Sequence, residues 1–362
     1  MSRKVVLITG IGGMDGSHAA ELWLAQGYEV HGIIRRASNF NTQRIEHIFS
    51  KITLHYGDVT DMGNMLSIIQ QVKPTMILNF AAMSHVKVSF EMENYTFQTN
   101  TIGILNILQA VRILGMDQTT RIYHASTSEM YGNITDGATL LTEESPMLPV
   151  SPYGISKLAA YHLCNYYRDA YKMFVVSSVL LNHEGERRGH TFVTKKITDY
   201  VAKYNKQVKS IVGCGSPSGL QKLANHASQA SENLRPLQLG NLDAKRDWGY
   251  ARDYVEGIWL MMNHHQPDNY VLATGETHSV REFAELAFAE VGVKVEWKGT
   301  GDSEIGVDAN TGRTIIQVNK KYYRPIDIEA LIGDYSKAKR VLGWNPKTSF
   351  KELVKLMVNK CN

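Results

Sequence analysis

The 362-residue sequence predicts an α/β fold: a doubly wound parallel sheet with a smaller C-terminal lobe. Three observations predict it. The first half carries short apolar runs without polar alternation. Amphipathic stretches separate those runs, and a glycine-rich turn joins the first run to the first such stretch. Strands that are apolar on both sides need a sheet covered on both faces.

Lys4 to Thr9 reads as the first buried strand, and a helix follows from about Gly16 to Gln26, ending at Gly27. Glu29 to Ile34 is the second strand. Ile52 to Tyr56, Met76 to Asn79, Arg121 to Ser126 and Phe174 to Leu181 supply four more. Helical periodicity falls around Asp61 to Val72, Thr96 to Leu114 and Tyr153 to Tyr171. From about His183 the chain turns polar and irregular. Gln238 to Met262 reads as strand, loop and helix, with Leu260 to Met262 as helix core. Val280 to Val291, Ser336 to Leu342 and Phe350 to Val358 read as helices. The division expected is residues 1–182 plus about 236–262 in the sheet lobe, and about 183–235 plus 263–362 in the second lobe. Ligand is expected where the strands' carboxyl ends meet that second lobe. Gly213 to Arg235, rich in Gly, Ser, Ala and Asn, reads as a surface excursion.

Composition narrows the function classes. With 43% hydrophobic and 20% charged residues, a soluble globular chain is expected. A net charge of +4 gives no case for nucleic-acid binding. Cys164, Cys214 and Cys361 are too few and too far apart for a disulfide framework or a zinc site. Asn263-His264-His265 lacks a carboxylate cluster, so no metal is expected. The N-terminus runs straight into a strand without a signal-peptide core, and no run nears the roughly 18 apolar residues of a membrane span. A cytoplasmic protein with reduced thiols is therefore expected.

The turn after the first strand reads Gly10-Ile11-Gly12-Gly13-Met14-Asp15-Gly16, with glycines at every third position from Gly10. Between a strand and a helix, this is the Rossmann-type pattern for a dinucleotide pyrophosphate. The glycines let backbone approach the phosphates, and the helix N-terminus offers free N–H groups. The second strand ends in Arg35-Arg36-Ala37-Ser38, where an NAD site would carry an acid. Two arginines and a serine suit a 2′-phosphate, hence NADP; a solvated basic loop is the alternative. Asp58-Val59, after the third strand, is placed to meet adenine. Asn79-Phe80-Ala81-Ala82 lets backbone lie along the cofactor, although packing accounts for these residues almost as well.

Tyr153-Gly154-Ile155-Ser156-Lys157 opens a helix, and a spacing of four puts both side chains on one face. A nearby ammonium favours phenolate, which can take an alcohol proton while hydride leaves for nicotinamide. Thr127, at the end of the fifth strand, would hydrogen-bond the same alcohol. Glu129 could remove a proton alpha to the new ketone; a surface-loop glutamate is the alternative.

The sequence resembles the extended short-chain dehydrogenase/reductase family, and within it the GDP-mannose 4,6-dehydratases, over nearly its whole length. The resemblance rests on Ala81 to Phe90, ASTSEMYG from Ala125, LNHEGERRGHTFVTKKI from Leu181, LGNLDAKRDWGYARDYVE from Leu239, TGETHSVREF from Thr274, and KYYRP from Lys321. It implies catalytic roles for Thr127, Glu129, Tyr153 and Lys157. It implies cofactor contacts from Gly10, Ile11, Gly12, Gly13, Met14 and Asp15, from Arg35, Arg36, Ala37 and Ser38, and from Asp58 and Val59. Further cofactor contacts are implied for Ala82, Met83, Ser84, Tyr95, Tyr153, Lys157, His183 and Arg188. For substrate it implies Ser84, Glu129, Asn182, Lys196, Arg246 and Tyr323, and cations such as Lys196 and Arg246 suit a GDP diphosphate. Self-association as dimer or tetramer is implied as well.

Three positions depart from the family pattern: Met14 and Met83 stand where glutamine is usual, and Asp327 where glutamate is. The Gly213 to Arg235 stretch is longer than family members carry. The reaction implied is conversion of GDP-mannose to GDP-4-keto-6-deoxymannose and water by internal hydride transfer through tightly held NADP. Three alternatives stay open: an added 4-reductase activity, another nucleotide-sugar epimerase or dehydratase, and a sensor that binds NADP without turnover.

Overall fold

The computed structural model describes residues 4–38, 41–133, 140–212, 234–323, 328 and 330–360; side chains at 209–212 are outside the description. Cys214, Cys361, Asp327 and most of the Gly213 to Arg235 stretch lie outside these residues.

The chain divides into two compact units. The first comprises Met1–His183, Asp247–Glu276 and Ile328–Lys347. Its strands β1 (Val5–Thr9), β2 (Glu29–Ile34), β3 (Ile52–Tyr56), β4 (Met76–Asn79), β5 (Arg121–Thr127) and β6 (Val175–Leu180) join Asn269–Leu272 in one sheet. Reading across, the order is Asn269–Leu272, β6, β5, β4, β1, β2, β3, and every pair is parallel. Order reverses at β1, whose neighbours are β2 and β4, the kind of switch point at whose carboxyl ends ligands bind in open α/β sheets.

The unbroken apolar runs have a packing cause. Val6 and Ile8 enter one core with Trp23 and Ile258, while Val5 and Leu7 enter the opposite core with Ile69, Ile107 and Ala160. Helices α1 (Met14–Ala25) and α8 (Ala251–Asn263) line the first core. Helices α2 (Met62–Val72), α5 (Gly103–Ile113) and α6 (Pro152–Tyr171) line the second.

The structure departs from the sequence-based expectation in several places. Helix α1 begins at Met14 rather than Gly16, because Gly13 already serves as its N-cap. The stretch expected as one helix from Thr96 is α4 (Glu93–Phe97), a π-helical turn at Gln98–Ile102, then α5. The short helix α3 (Val86–Ser89) and the strand Asn269–Leu272 have no counterpart in the expectation. The polar stretch after His183 contains α7 (Val193–Val212), a 20-residue helix whose buried Ile197, Val201 and Tyr204 recur at helical spacing.

The division between units also falls elsewhere than expected. Residues 263–276 and 328–347 belong with the sheet, and 236–246 do not. Asp247 explains the first part. Its fully buried carboxylate accepts from Thr274 N (2.9 Å), Thr274 Oγ1 (2.7 Å), Gly275 N (3.0 Å) and Gly333 N (3.3 Å), tying three distant segments together. Pairing explains the second, since Leu237–Leu239 runs parallel to Thr314–Val318 in the second unit.

That second unit comprises Glu184–Arg246, Thr277–Asp327 and Thr348–Asn362. Its four-stranded sheet runs Val295–Lys298, Ile305–Asp308, Thr314–Val318, Leu237–Leu239. It also holds α7, α9 (Val280–Ala289) and α11 (Phe350–Asn359). Capping boxes at Ser279/Glu282 and Ser349/Glu352 start the last two helices. Helix α10 (Ser336–Leu342) belongs to the first unit. Among the described residues no helix is long and apolar enough to cross a membrane, and no group of three or more His, Cys, Asp or Glu could hold a metal ion.

Candidate active site

The glycine-rich turn is as tight as its composition requires. Gly10 has φ +69°, and a Cβ there would stand 2.9 Å from Ala81 N. A Cβ at Gly16 would stand 2.3 Å from the Gly10 carbonyl. The turn and the segment after β4 therefore form one backbone surface, with the α1 N-terminus opening on it. Such a surface can hold a phosphate. Ile11 is buried and Met14 nearly so, while Gly12, Gly13 and Asp15 retain exposure. Arg44 Nη1 donates to the Gly12 carbonyl at 3.2 Å.

Arg35, Arg36, Ala37 and Ser38 follow β2 and are exposed. Arg35 Nη1 donates to the Tyr95 hydroxyl, and Arg36 Nη1 to the Ala37 carbonyl at 2.9 Å. Asp58 turns its carboxylate onto Thr60, accepting from N at 2.9 Å and from Oγ1 at 2.8 Å. Buried Val59 offers its carbonyl to Asn106 Nδ2 at 2.8 Å. Ala82 is half-buried and Ser84 exposed.

Met83, between them, is clamped through its backbone. Asn100 Oδ1 accepts from Met83 N (2.8 Å), and Asn100 Nδ2 donates to Met83 O (3.2 Å). The same Nδ2 also reaches Ser156 Oγ on α6 at 3.0 Å. A methionine side chain at 83 leaves this clamp intact. Asn100 lies in the π-helical turn, a distortion that recurs at functional sites. Sequence reasoning misses this residue; its one signal is a polar residue within an apolar helical pattern.

Helix α6 is set on the same framework. Ser151 caps it, accepting from Gly154 N at 3.0 Å, and Pro152 stands at its first position. Ser89 Oγ accepts from Tyr153 N at 3.2 Å while donating to Val86 O at 2.6 Å, which docks α3 to the helix start. Thr127 ends β5, and its hydroxyl accepts from Glu129 N at 3.3 Å in the turn Ser128–Met130. That turn packs on α6: a Cβ at Gly154 would meet the Glu129 carbonyl at 2.7 Å. Thr127, Glu129 and Tyr153 thus gather at the carboxyl end of β5.

Lys157, one turn further along α6, is buried, and Nζ donates to the Ala125 carbonyl at 2.8 Å. Burial pulls its pKa down to about 8 from the ordinary 10.5, because the interior disfavours the ammonium. On the neighbouring strands, Ala81 N donates to Thr9 Oγ1 (3.2 Å), Thr9 Oγ1 to Asn79 Oδ1 (2.6 Å), and Asn79 Nδ2 to His124 Nδ1 (3.1 Å). Burial, and then the Lys157 charge, hold the His124 pKa well below that of a free histidine. Asn182 is half-buried beyond β6, and His183 Nε2 lies 3.0 Å from Asp15 Oδ2.

The remaining expected residues belong to the second unit. Arg188 Nε pairs with Glu184 Oε2 at 3.0 Å and lies over the Phe192 ring. Lys196 Nζ lies over the Tyr322 ring at 4.3 Å, and exposed Tyr323 follows the turn Lys320–Tyr322. Arg246 is buried on the short strand Lys245–Arg246, which pairs with His278–Ser279.

The chain matches the family model described as GDP-mannose 4,6 dehydratase over residues 7–219 and 215–357. It is 47% identical to the GDP-mannose 4,6 dehydratase of Drosophila melanogaster, covering 98% of this chain and 85% of that one. It is likewise 47% identical to the GDP-mannose 4,6-dehydratase of Sinorhizobium fredii, covering 99% and 96%. Among solved structures it is similar to the UDP-glucose 4-epimerase of Thermus thermophilus in complex with NAD. The TM-score is 0.77 at 25% identity, covering 99% of this chain and 98% of that one.

Proposed function

Because the chain belongs to the GDP-mannose 4,6-dehydratase family, whose members are hydro-lyases, we propose that it converts GDP-mannose to GDP-4-keto-6-deoxymannose and water through tightly held NADP. The observation that carries the proposal is the seating of the Glu129 turn against Gly154. It sets the backbone of Glu129 against the helix start that carries Tyr153, which supports reading the two as partners.

A dinucleotide suits the glycine-lined cradle, and Arg35, Arg36 and Ser38 favour the 2′-phosphorylated form. When bound, the nicotinamide supplies a hydride acceptor at the sugar C4 and a hydride donor at C6. Tyr153, helped by the Lys157 charge, takes the C4 hydroxyl proton, and Thr127 holds the same oxygen. The C4 ketone acidifies C5–H, and Glu129 takes that proton. The resulting enolate expels the C6 hydroxyl, which leaves as water with a proton returned by Glu129; as C6 receives hydride, C5 takes a proton to replace the one it lost, and the proton that Tyr153 removed from the C4 hydroxyl closes that balance. The cradle residues Gly10 to Asp15 and the Asn100-clamped Met83, with Ala82, Ser84, Tyr95, Asp58 and Val59, hold the dinucleotide. His183 and Arg188 complete that set. Asn182, Lys196, Arg246, Tyr323 and Ser84 hold the GDP-sugar, with the cations facing its diphosphate.

Incubation with GDP-mannose should give a product lighter by one water, with no added reductant. Glu129→Gln should form no such product. Unchanged GDP-mannose with the wild-type protein would overturn the proposal, and a product reduced further when NADPH is supplied would extend it. The released cofactor, identified by mass, reports NADP against NAD. Assembly as dimer or tetramer, in the cytoplasm, completes the reading and is checked by sedimentation and cell fractionation.

A further inference from the structure

Tyr153 is gripped by its own peptide groups. Its N–H, the first that α6 offers after Pro152, donates to Ser89 Oγ at 3.2 Å. Its carbonyl accepts from Ser156 Oγ at 2.7 Å. Both serines are fully buried. The directions of these bonds are fixed. An amide N–H can donate but not accept, so the Ser89 hydroxyl accepts from Tyr153 and gives its single proton to the Val86 carbonyl, 2.6 Å away. Ser156 gives its proton to the Tyr153 carbonyl and accepts from Asn100 Nδ2 at 3.0 Å.

The two grips differ in kind. Ser156 lies on α6 and moves with it, whereas Ser89 belongs to α3 and holds the helix start from outside. The next two N–H groups of α6 are taken within its own cap: Gly154 N donates to Ser151 Oγ at 3.0 Å and Ile155 N to the Ser151 carbonyl at 2.9 Å. The bond from α3 therefore falls on the backbone of the very residue that bears the phenol. Met83 to Ser89, which includes Ser84, is tied to α6 at both ends. Asn100 joins the Met83 amide and carbonyl to Ser156 Oγ, and Ser89 joins the far end to Tyr153 N.

We infer that Ser89 is a positioning residue for the acid–base step: it fixes the Tyr153 main chain against the Met83–Ser89 segment and so sets where the phenol stands. This rests on the reading of Tyr153 as the group that takes the C4 hydroxyl proton. A hydroxyl that merely stabilised the fold would affect unfolding alone. One that holds this backbone governs the chemical step, because a small shift of a reacting group costs rate far more than it costs binding. Alanine at 89 leaves the Tyr153 N–H and the Val86 carbonyl without that partner.

Two measurements on the full chain test it. Amide hydrogen exchange, resolved to single residues, should find the wild-type Tyr153 N–H as slow as those of Gly154 and Ile155. A fast Tyr153 amide in the wild type would overturn the inference before any variant is made. In Ser89→Ala that amide should exchange about tenfold faster, the scale of one lost hydrogen bond. The second measurement is turnover of GDP-mannose. Ser89→Ala should lower kcat by about ten- to a hundredfold, with KM and NADP affinity changed far less. Thr120→Val is the control. Its buried hydroxyl donates to the Pro74 carbonyl at 2.8 Å, just ahead of β5 and at the other end of that strand from Thr127. Its loss should cost similar stability and leave kcat alone. An unchanged kcat in Ser89→Ala, a loss carried by KM alone, or an equal kcat loss in Thr120→Val would each sink the inference. No dehydration by the wild type would instead sink the reading of Tyr153, with the exchange result standing apart from it.

Discussion

Lys157→Met should stabilise the cofactor-free protein near neutral pH while removing its activity. The wild-type ammonium is buried, and its pKa falls from 10.5 to about 8. That fall corresponds to about 3 kcal/mol of folding free energy lost by keeping the group charged. The sign follows from the direction. A folded-state pKa below the unfolded one favours the neutral amine, so wild-type stability declines as pH falls from about 10.5 and levels off below about 8. Methionine removes the charge and fills similar volume. It also strips the donor from the Ala125 carbonyl, at a cost of about 1 kcal/mol. The expected net gain is about 2 kcal/mol at pH 7, or about 4–8 °C in midpoint for a unit of this size. The gain should shrink steadily between pH 8 and pH 10.5. Chemical denaturation across that range measures it. Turnover should fall at least about a hundredfold, the usual scale for removing acid–base assistance. A variant no more stable than wild type at pH 7, with a gap that does not change with pH, would refute the reasoning.

Gly154→Ala places a methyl 2.7 Å from the Glu129 carbonyl, so turnover should drop more than about tenfold with circular dichroism unchanged; the usual helical gain of up to about 1 kcal/mol should not appear in the melting curve. Asn100→Ala leaves the Met83 amide and carbonyl without their clamp, which should cost about 2–3 kcal/mol in denaturant and weaken NADP binding in calorimetry. Asp247→Asn puts an NH2 in place of one carboxylate oxygen, opposing either the Thr274 amide or the Gly275 and Gly333 amides, and should cost about 2–4 kcal/mol by the same denaturant measurement. Cys164, fully buried with its thiol pushed up to about 12, should resist alkylation in the native protein and react once it is unfolded.

The sheet lobe is legible in the sequence because its signals are local. Apolar runs such as Val5–Thr9 and Val175–Leu180, the glycine turn and the Tyr153/Lys157 spacing each act within a few residues. What escapes depends on distant partners. Asn269–Leu272 is four residues long and becomes a strand by pairing with β6, about 90 positions upstream. Helix α7 looks irregular because its solvent face is strongly polar, which dilutes the apolar stripe of Ile197, Val201 and Tyr204. The assignment of 328–347 to the sheet unit rests on long-range contacts: Asp247 with Gly333, Trp344 Nε1 with the Asp253 carbonyl, and Leu141 with Ile332 and Asp334, none of which any periodicity reports. Thr127, Glu129, Tyr153 and Lys157 can be singled out in the sequence by residue type and spacing. Asn100, which bonds Ser156, and Ser89, which bonds the Tyr153 amide, cannot, since a supporting hydrogen bond has no sequence pattern of its own.

The polar row that ends at His124 keeps that buried ring neutral near Lys157. The directions of its hydrogen bonds are fixed end to end: Ala81 N–H to Thr9, Thr9 O–H to Asn79, Asn79 amide to His124 Nδ1. An accepting Nδ1 makes His124 the Nε2–H tautomer, hence neutral. The row therefore ends in a neutral ring within reach of the Lys157 charge rather than in a second cation, which at such burial would raise the cost of both. It also joins the glycine-rich turn through Thr9 and Ala81 to the strand that bears Thr127. The cradle and the acid–base residues then share one rigid support, and a substitution at Asn79 should disturb both, whereas one at Arg35 should disturb only the cradle.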